Sequence, residues 1–172
     1  QALSLWSAAA DAYSRTLGDD HPDTLNAIHN TATALDALGR TAESEQRFRR
    51  AVEGRRRVLG DEDPLTIRSI TSLGSVLLEH GRFGEAAPLL REAVASSRKA
   101  LGEQHPDSIT PIANLGALLL DQGRAAEAEP WLRDAFELCR VTLGEDHRRT
   151  VVARATVGLA LMELGRFSDA EQ

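Results

Sequence analysis

The chain has 172 residues, 42% of them apolar and 27% charged, which is enough length and apolar content for a buried core. Its formal net charge of −6 argues against a nucleic-acid partner, and no apolar run approaches the roughly 18 residues needed to cross a membrane. Aromatics are only 4%, so the core must be built from Leu, Ala, Val and Ile, and the wealth of Ala and Leu predicts an all-α chain. The single Cys139 cannot form an intramolecular disulfide, which fits a reducing, cytoplasmic setting. The N-terminus carries no basic stretch followed by an apolar core, so no signal peptide is expected. It also lacks an initiator Met, which suggests a domain taken from a longer protein.

Residues 1–18 read as one helix B, whose core stripe ends at Leu17 and which Gly18 stops. The octet LGDDHPDT follows from Leu17, and it returns as LGDEDPLT from Leu59, LGEQHPDS from Leu101 and LGEDHRRT from Leu143, a period of 42. After each octet comes a helix A with apolar residues at spacings of three and four: Leu25, Ile28, Leu35 and Leu38 in the first copy, Ile67, Ile70, Leu73, Leu77 and Leu78 in the second. Each helix A stops at Gly-Arg (Gly39, Gly81, Gly123, Gly165), because glycine tolerates the left-handed conformation that ends a helix. Helix B then runs to the next Leu-Gly, with small residues at Ala51, Ala93 and Ala135 and bulky ones at Phe48, Leu90 and Leu132. Three glycines inside helix A (Gly74, Gly116, Gly158) share one repeat position and predict close approach of a neighbouring helix.

The octets contain His and Asp, residue types able to ligate metals, so two readings compete. Within the repeat, His21, Asp63 and His105 stand where an N-cap belongs, with Pro22, Pro64 and Pro106 at the first helical position, and His147 sits at the same repeat position. Arg148 replaces proline in the fourth copy, which predicts a looser start to that helix. Copies of one position on stacked hairpins lie about 8–10 Å apart, too far to converge on one ion, so no metal site is expected. The chain also lacks a nucleophile–base pairing and a strand-borne phosphate loop, so neither a cofactor nor catalysis is expected.

This pattern resembles the tetratricopeptide repeat in its 42-residue form, found in kinesin light chains and many bacterial signalling proteins. The third copy carries it most fully, with LGEQHPDS followed by NLGALLLDQGRAAEAEPWLRDA. The resemblance implies a right-handed superhelical solenoid of antiparallel helix hairpins, about eight helices plus a C-terminal stub. It forms a single domain over 1–172: an orphan helix B (1–18), full repeats at 19–60, 61–102 and 103–144, and a partial repeat at 145–172. It further implies a non-catalytic protein–protein interaction scaffold that holds a peptide in a concave groove lined by the A helices.

Carried over by register, the groove positions are Asn26, His29, Asn30 and Thr33 in the first copy, Arg68, Thr71, Ser72 and Ser75 in the second, Thr110 and Asn114 in the third, and Val152 and Leu159 in the fourth. They run from polar to apolar, so one half suits a peptide backbone and the other apolar anchors. A chaperone-tail clamp would need more cations than Arg68. Two alternatives remain: self-assembly through open ends, with Val151, Leu161 and Leu164 uncovered, and a regulatory domain of a larger kinase or nucleotide-switch ATPase. Arg47, Arg49, Arg50, Arg55, Arg56 and Arg57 read as a solvated outer face diluted by Glu43, Glu45 and Glu53.

Overall fold

The computed structural model describes residues 1–170, apart from the side chains of Ser168 and Ala170. Backbone contacts divide the chain into two compact units, Gln1–Arg82 and Phe83–Gln172. The first holds α1 (Ala2–Leu17), α2 (Pro22–Asp36), α3 (Thr41–Leu59) and α4 (Pro64–Glu79). The second holds α5 (Phe83–Leu101), a 3-10 turn (Pro106–Ser108), α6 (Ile109–Asp121), α7 (Ala125–Leu143), α8 (Arg148–Glu163) and the short α9 (Phe167–Ala170). No strand occurs among the described residues.

The octet is a joint between helices. Gly18 (φ 95°) closes α1, its N–H reaching Ser14 O at 3.1 Å. The side chain of His21 then caps α2: its Nδ1 accepts from the Asp23 N–H at 3.2 Å. His105 and His147 repeat this bond to the N–H groups of Asp107 and Arg149, and the Asp63 carboxylate does the same for Leu65 at 2.8 Å. The last octet residue ties the joint together, since Thr24 Oγ1 donates to Gly18 O at 2.8 Å and Thr150 Oγ1 to Gly144 O at 2.7 Å. The A-to-B turn is different: at Gly39 (φ 71°), the N–H of Arg40 reaches back to Leu35 O at 3.0 Å, the bond of a Schellman stop.

The fourth joint corrects the expectation drawn from Arg148. His147 caps α8 in the same extended conformation as His21, and the helix starts cleanly at Arg148 without proline. The irregular start is in the third copy, where Pro106–Ser108 is 3-10 and α6 begins only at Ile109. Pro111 explains it. Its nitrogen has no hydrogen for the Asp107 carbonyl four residues back, and its ring crowds that carbonyl, so the first turn tightens.

In the first unit, Leu25, Ile28 and Leu35 of α2, Phe48 and Ala51 of α3, and Ile67, Ile70 and Leu73 of α4 are buried. Leu115 and Leu119 of α6, Leu132 and Ala135 of α7, and Leu161 of α8 are buried in the second. Each such Leu, Ile or Phe contributes on the order of 2 kcal/mol by leaving water. Gly116 meets the close approach expected of it: a Cβ there would lie 2.6 Å from Leu132 Cδ2. Two assignments to the apolar stripe fail, because Leu17 and Leu38 sit at helix ends beyond the packed turns and are exposed. Leu161 was expected among the uncovered residues of the fourth helix A, but it is buried, whereas Val151 is exposed.

Candidate functional site

In the first unit, α2 and α4 flank a cleft whose base is α3, and polar side chains fill it. Arg55 enters from α3 and is only 1% exposed. Its Nη1 donates to Leu65 O at 2.7 Å and to Ser69 Oγ at 2.6 Å, and its Nη2 donates to Asn26 Oδ1. Its Nε is buried without an acceptor among the described residues. Burial, with help from the Arg68 charge, brings the Arg55 pKa down to about 10, and Asp63 partly offsets this. The sequence reading placed Arg55 among solvated arginines; it is instead the largest fully buried side chain of the unit. Its companions do occupy the surface. Arg50 and Arg57 both hold Asp20 at 2.8 Å, Arg49 pairs with Glu45 at 2.6 Å and Arg56 with Asp61 at 3.0 Å.

His29 is the second buried polar group, at 2% exposure, packed edge-on to Phe48 with ring centroids 5.2 Å apart. Its Nδ1 lies 3.1 Å from Ser69 Oγ, and its Nε2 accepts from Arg68 Nε at 3.2 Å. Accepting at Nε2 assigns the proton of the neutral ring to Nδ1, which donates to Ser69. Burial, then the charges of Arg55 and Arg68, push the His29 pKa down to about 3, so the ring is neutral at physiological pH. His29 is therefore a support for Arg68 and does not itself line an open groove.

This network leaves uncommitted donors on α2 and α4. The Arg68 guanidinium is exposed, fixed through Nε, and its Nη groups have no partner among the described residues. Asn26 gives its oxygen to Arg55, which leaves its NH2 to donate, and the Asn30 amide one turn on is half-buried and unpartnered among the described residues. The other groove positions of this unit are less open to a ligand. Thr33, Thr71 and Ser75 each donate to a carbonyl one turn back in their own helix, and Thr71 is buried, while Ser72 is half-buried.

The second unit has the equivalent cleft between α6 and α8, over α7. Two repeats on, His29 becomes Ala113, Arg55 becomes Cys139, Arg68 becomes Val152 and Ser69 becomes Ala153. The space stays open as a pocket of about 360 Å3, with Leu132, Ala135 and Cys139 in its base. Asn114 and Val152 line it; Leu159 is exposed on α8 but does not line it, and Thr110 accepts from Arg149 Nη2 at 2.7 Å. Sequence reasoning missed Cys139 and Arg55 because both lie on B helices. The signal was there in the register, which aligns Arg55, Ser97 and Cys139.

Among the described residues, no group of three His, Cys, Asp or Glu side chains could hold a metal ion, and no helix is long and apolar enough to cross a membrane. Comparison with curated proteins gives no match. Solved structures give the fold. A structure described as a Podosopora anserina kinesin light chain with nearly identical TPR-like repeats is 24% identical with TM-score 0.81, over 98% of this chain and 80% of that one. BtubC (BKLC) from P. vanneervenii is 18% identical with TM-score 0.87, over 98% of this chain and 67% of its own. MamA is 17% identical with TM-score 0.67, over 96% and 82%. The tetratricopeptide repeat model matches residues 1–57, 37–99 and 107–172. With that match spread along its length, its hairpins joined by glycine stops and its A-helix faces bearing the variable side chains, the chain belongs to the tetratricopeptide repeat family.

Proposed function

We propose that the chain is a non-catalytic interaction module that binds an extended peptide along the A-helix faces of its first unit. Membership of the tetratricopeptide repeat family supports a protein-interaction or scaffold role. The observation that carries the finer reading is the row of unpartnered donors in the α2–α4 cleft: the Arg68 Nη groups, the Asn26 NH2 and the Asn30 amide. An extended peptide presents a carbonyl at each residue, and such donors are what it needs from a groove. Asn30 can also accept, which matches the alternation of N–H and C=O along a backbone. A peptide-library capture with wild type and an Asn30→Ala, Arg68→Ala double variant tests this. Selective loss of capture by the variant supports it, and equal capture removes this face as the site.

A second reading rests on α8, where Val152, Leu159 and Met162 are each more than half exposed. A partly apolar helix face of this kind favours self-association. Light scattering at rising concentration decides it: a strict monomer rules against it, and a Leu159→Lys, Met162→Lys variant should dissociate any dimer.

A further inference from the structure

The pocket between α6 and α8 has a chemistry unlike that of the donor-rich cleft in the first unit. We propose that it binds a small free carboxylic acid with an apolar body, seated with its chain on Ala113, Ala153 and Val152 and its carboxylate at Arg148. This goes beyond the peptide reading and does not depend on it.

Three observations carry the proposal. The first is the space itself. Its volume of about 360 Å3 falls at the lower end of small-molecule sites, roughly 300–1,000 Å3. It exists because Ala113, Cys139 and Ala153 are small where the first unit has His29, Arg55 and Ser69.

The second is the shortage of uncommitted polar groups on the walls. Thr156 Oγ1 donates to Val152 O at 3.0 Å, Arg149 is engaged with Thr110, and Asn114 already has a partner. The Cys139 thiol is pushed up by burial, so it stays neutral. A peptide backbone would bring N–H and C=O groups that such walls leave unpaired, at a real desolvation cost, whereas a hydrocarbon chain brings none.

The third is the mouth. Arg148 lines the pocket, is exposed, and has no hydrogen bond or ion pair among the described residues. It stands where the other three joints carry Pro22, Pro64 and Pro106. The neighbouring Arg149 adds a second positive charge, and no acid among the described residues lines the pocket. An apolar interior with a cation at its rim selects an amphiphilic anion.

Cys139 supplies the measurement, since it is the chain's single cysteine and lies in the pocket base. The rate of its alkylation by iodoacetamide is followed in the intact chain with increasing octanoate, alongside methyl shifts of Ala113 and Ala153 by NMR. The expected result is saturable slowing and saturable methyl shifts with octanoate. Octanamide should bind up to about fivefold more weakly, and Arg148→Gln should erase that difference. Ala113→Leu, which fills the space, should abolish both signals while the thermal unfolding curve stays cooperative. The proposal is overturned if octanoate gives neither signal, if octanamide binds equally well to wild type, or if Arg148→Gln leaves octanoate binding intact. It is also overturned if a leucine-ended peptide displaces octanoate at lower concentration, because the pocket would then belong to a peptide end.

Discussion

The α2–α4 cleft and the α6–α8 cleft share one backbone plan and differ in contents. Both are framed by two A helices over a B helix, and both begin at a joint whose cap is a histidine, His21 or His105. In the first, Arg55, Ser69, His29 and Arg68 form a connected chain of hydrogen bonds that fills the gap. In the second, Cys139, Ala153, Ala113 and Val152 leave it empty. The difference teaches that in this fold the recognition chemistry is carried by a few register positions. The joints and core residues hold the frame whichever side chains stand there.

The comparison breaks most readily at Arg55. Truncation to Ala leaves Asn26, Ser69 and the Leu65 carbonyl without their buried donor and opens a void, at a cost of about 3 kcal/mol in urea unfolding. Arg55→Met, which keeps the volume, should cost clearly less. If the Ala variant is as stable as wild type, the buried network is not what holds the first cleft.

Acid should separate the clefts next. His29 is neutral in the folded state, with its pKa near 3, and ordinary when unfolded. Between those values the unfolded chain binds a proton that the folded chain does not. The contribution is therefore fully present above about pH 6.5 and is lost as pH falls toward 3, by about 1.4 kcal/mol per unit or about 2 kcal/mol at pH 5. His29→Ala, which copies Ala113, should flatten the stability profile between pH 6.5 and 5. An unchanged slope would show that His29 is not the buried neutral group.

Gly116→Ala probes the frame of the second cleft, where the added methyl would meet Leu132. After the helix-propensity gain, a net loss of about 1–2 kcal/mol is expected. A stabilised variant would mean that Leu132 moves aside freely. The smallest effect belongs to the caps. His147→Ala should cost about 0.5 kcal/mol and Asp63→Ala about 1 kcal/mol, since the carboxylate bond is shorter and charge-assisted. Equal losses would show that the imidazole caps as well as the carboxylate.

Much of the fold was legible because the joint is written in residue types with narrow conformational uses: glycine at positive φ, a cap, proline at the first turn. Periodicity likewise located Leu25, Ile28, Ile67 and Ile70 in the core. It failed at Leu17 and Leu38, because a stripe says which face of a helix is apolar and not where the neighbouring helix ends. It also failed at His29 and Arg55. A single helix read alone makes them polar surface, and only the crossing of three helices encloses them. The polar-to-apolar drift from Asn26 and His29 to Val152 was visible along the A helices, whereas the pocket also needed Cys139 from a B helix.

The joint has one more consequence, for chain length. Its cap and turn bonds close locally: Thr24 reaches back to Gly18, and His21 forward to Asp23. Adding a whole 42-residue unit at such a boundary would break none of them, so elongation by full units should be tolerated. One extra residue inside α2 would instead turn everything beyond it by about 100° and carry Leu35 off the core. The array can grow in steps of one length only.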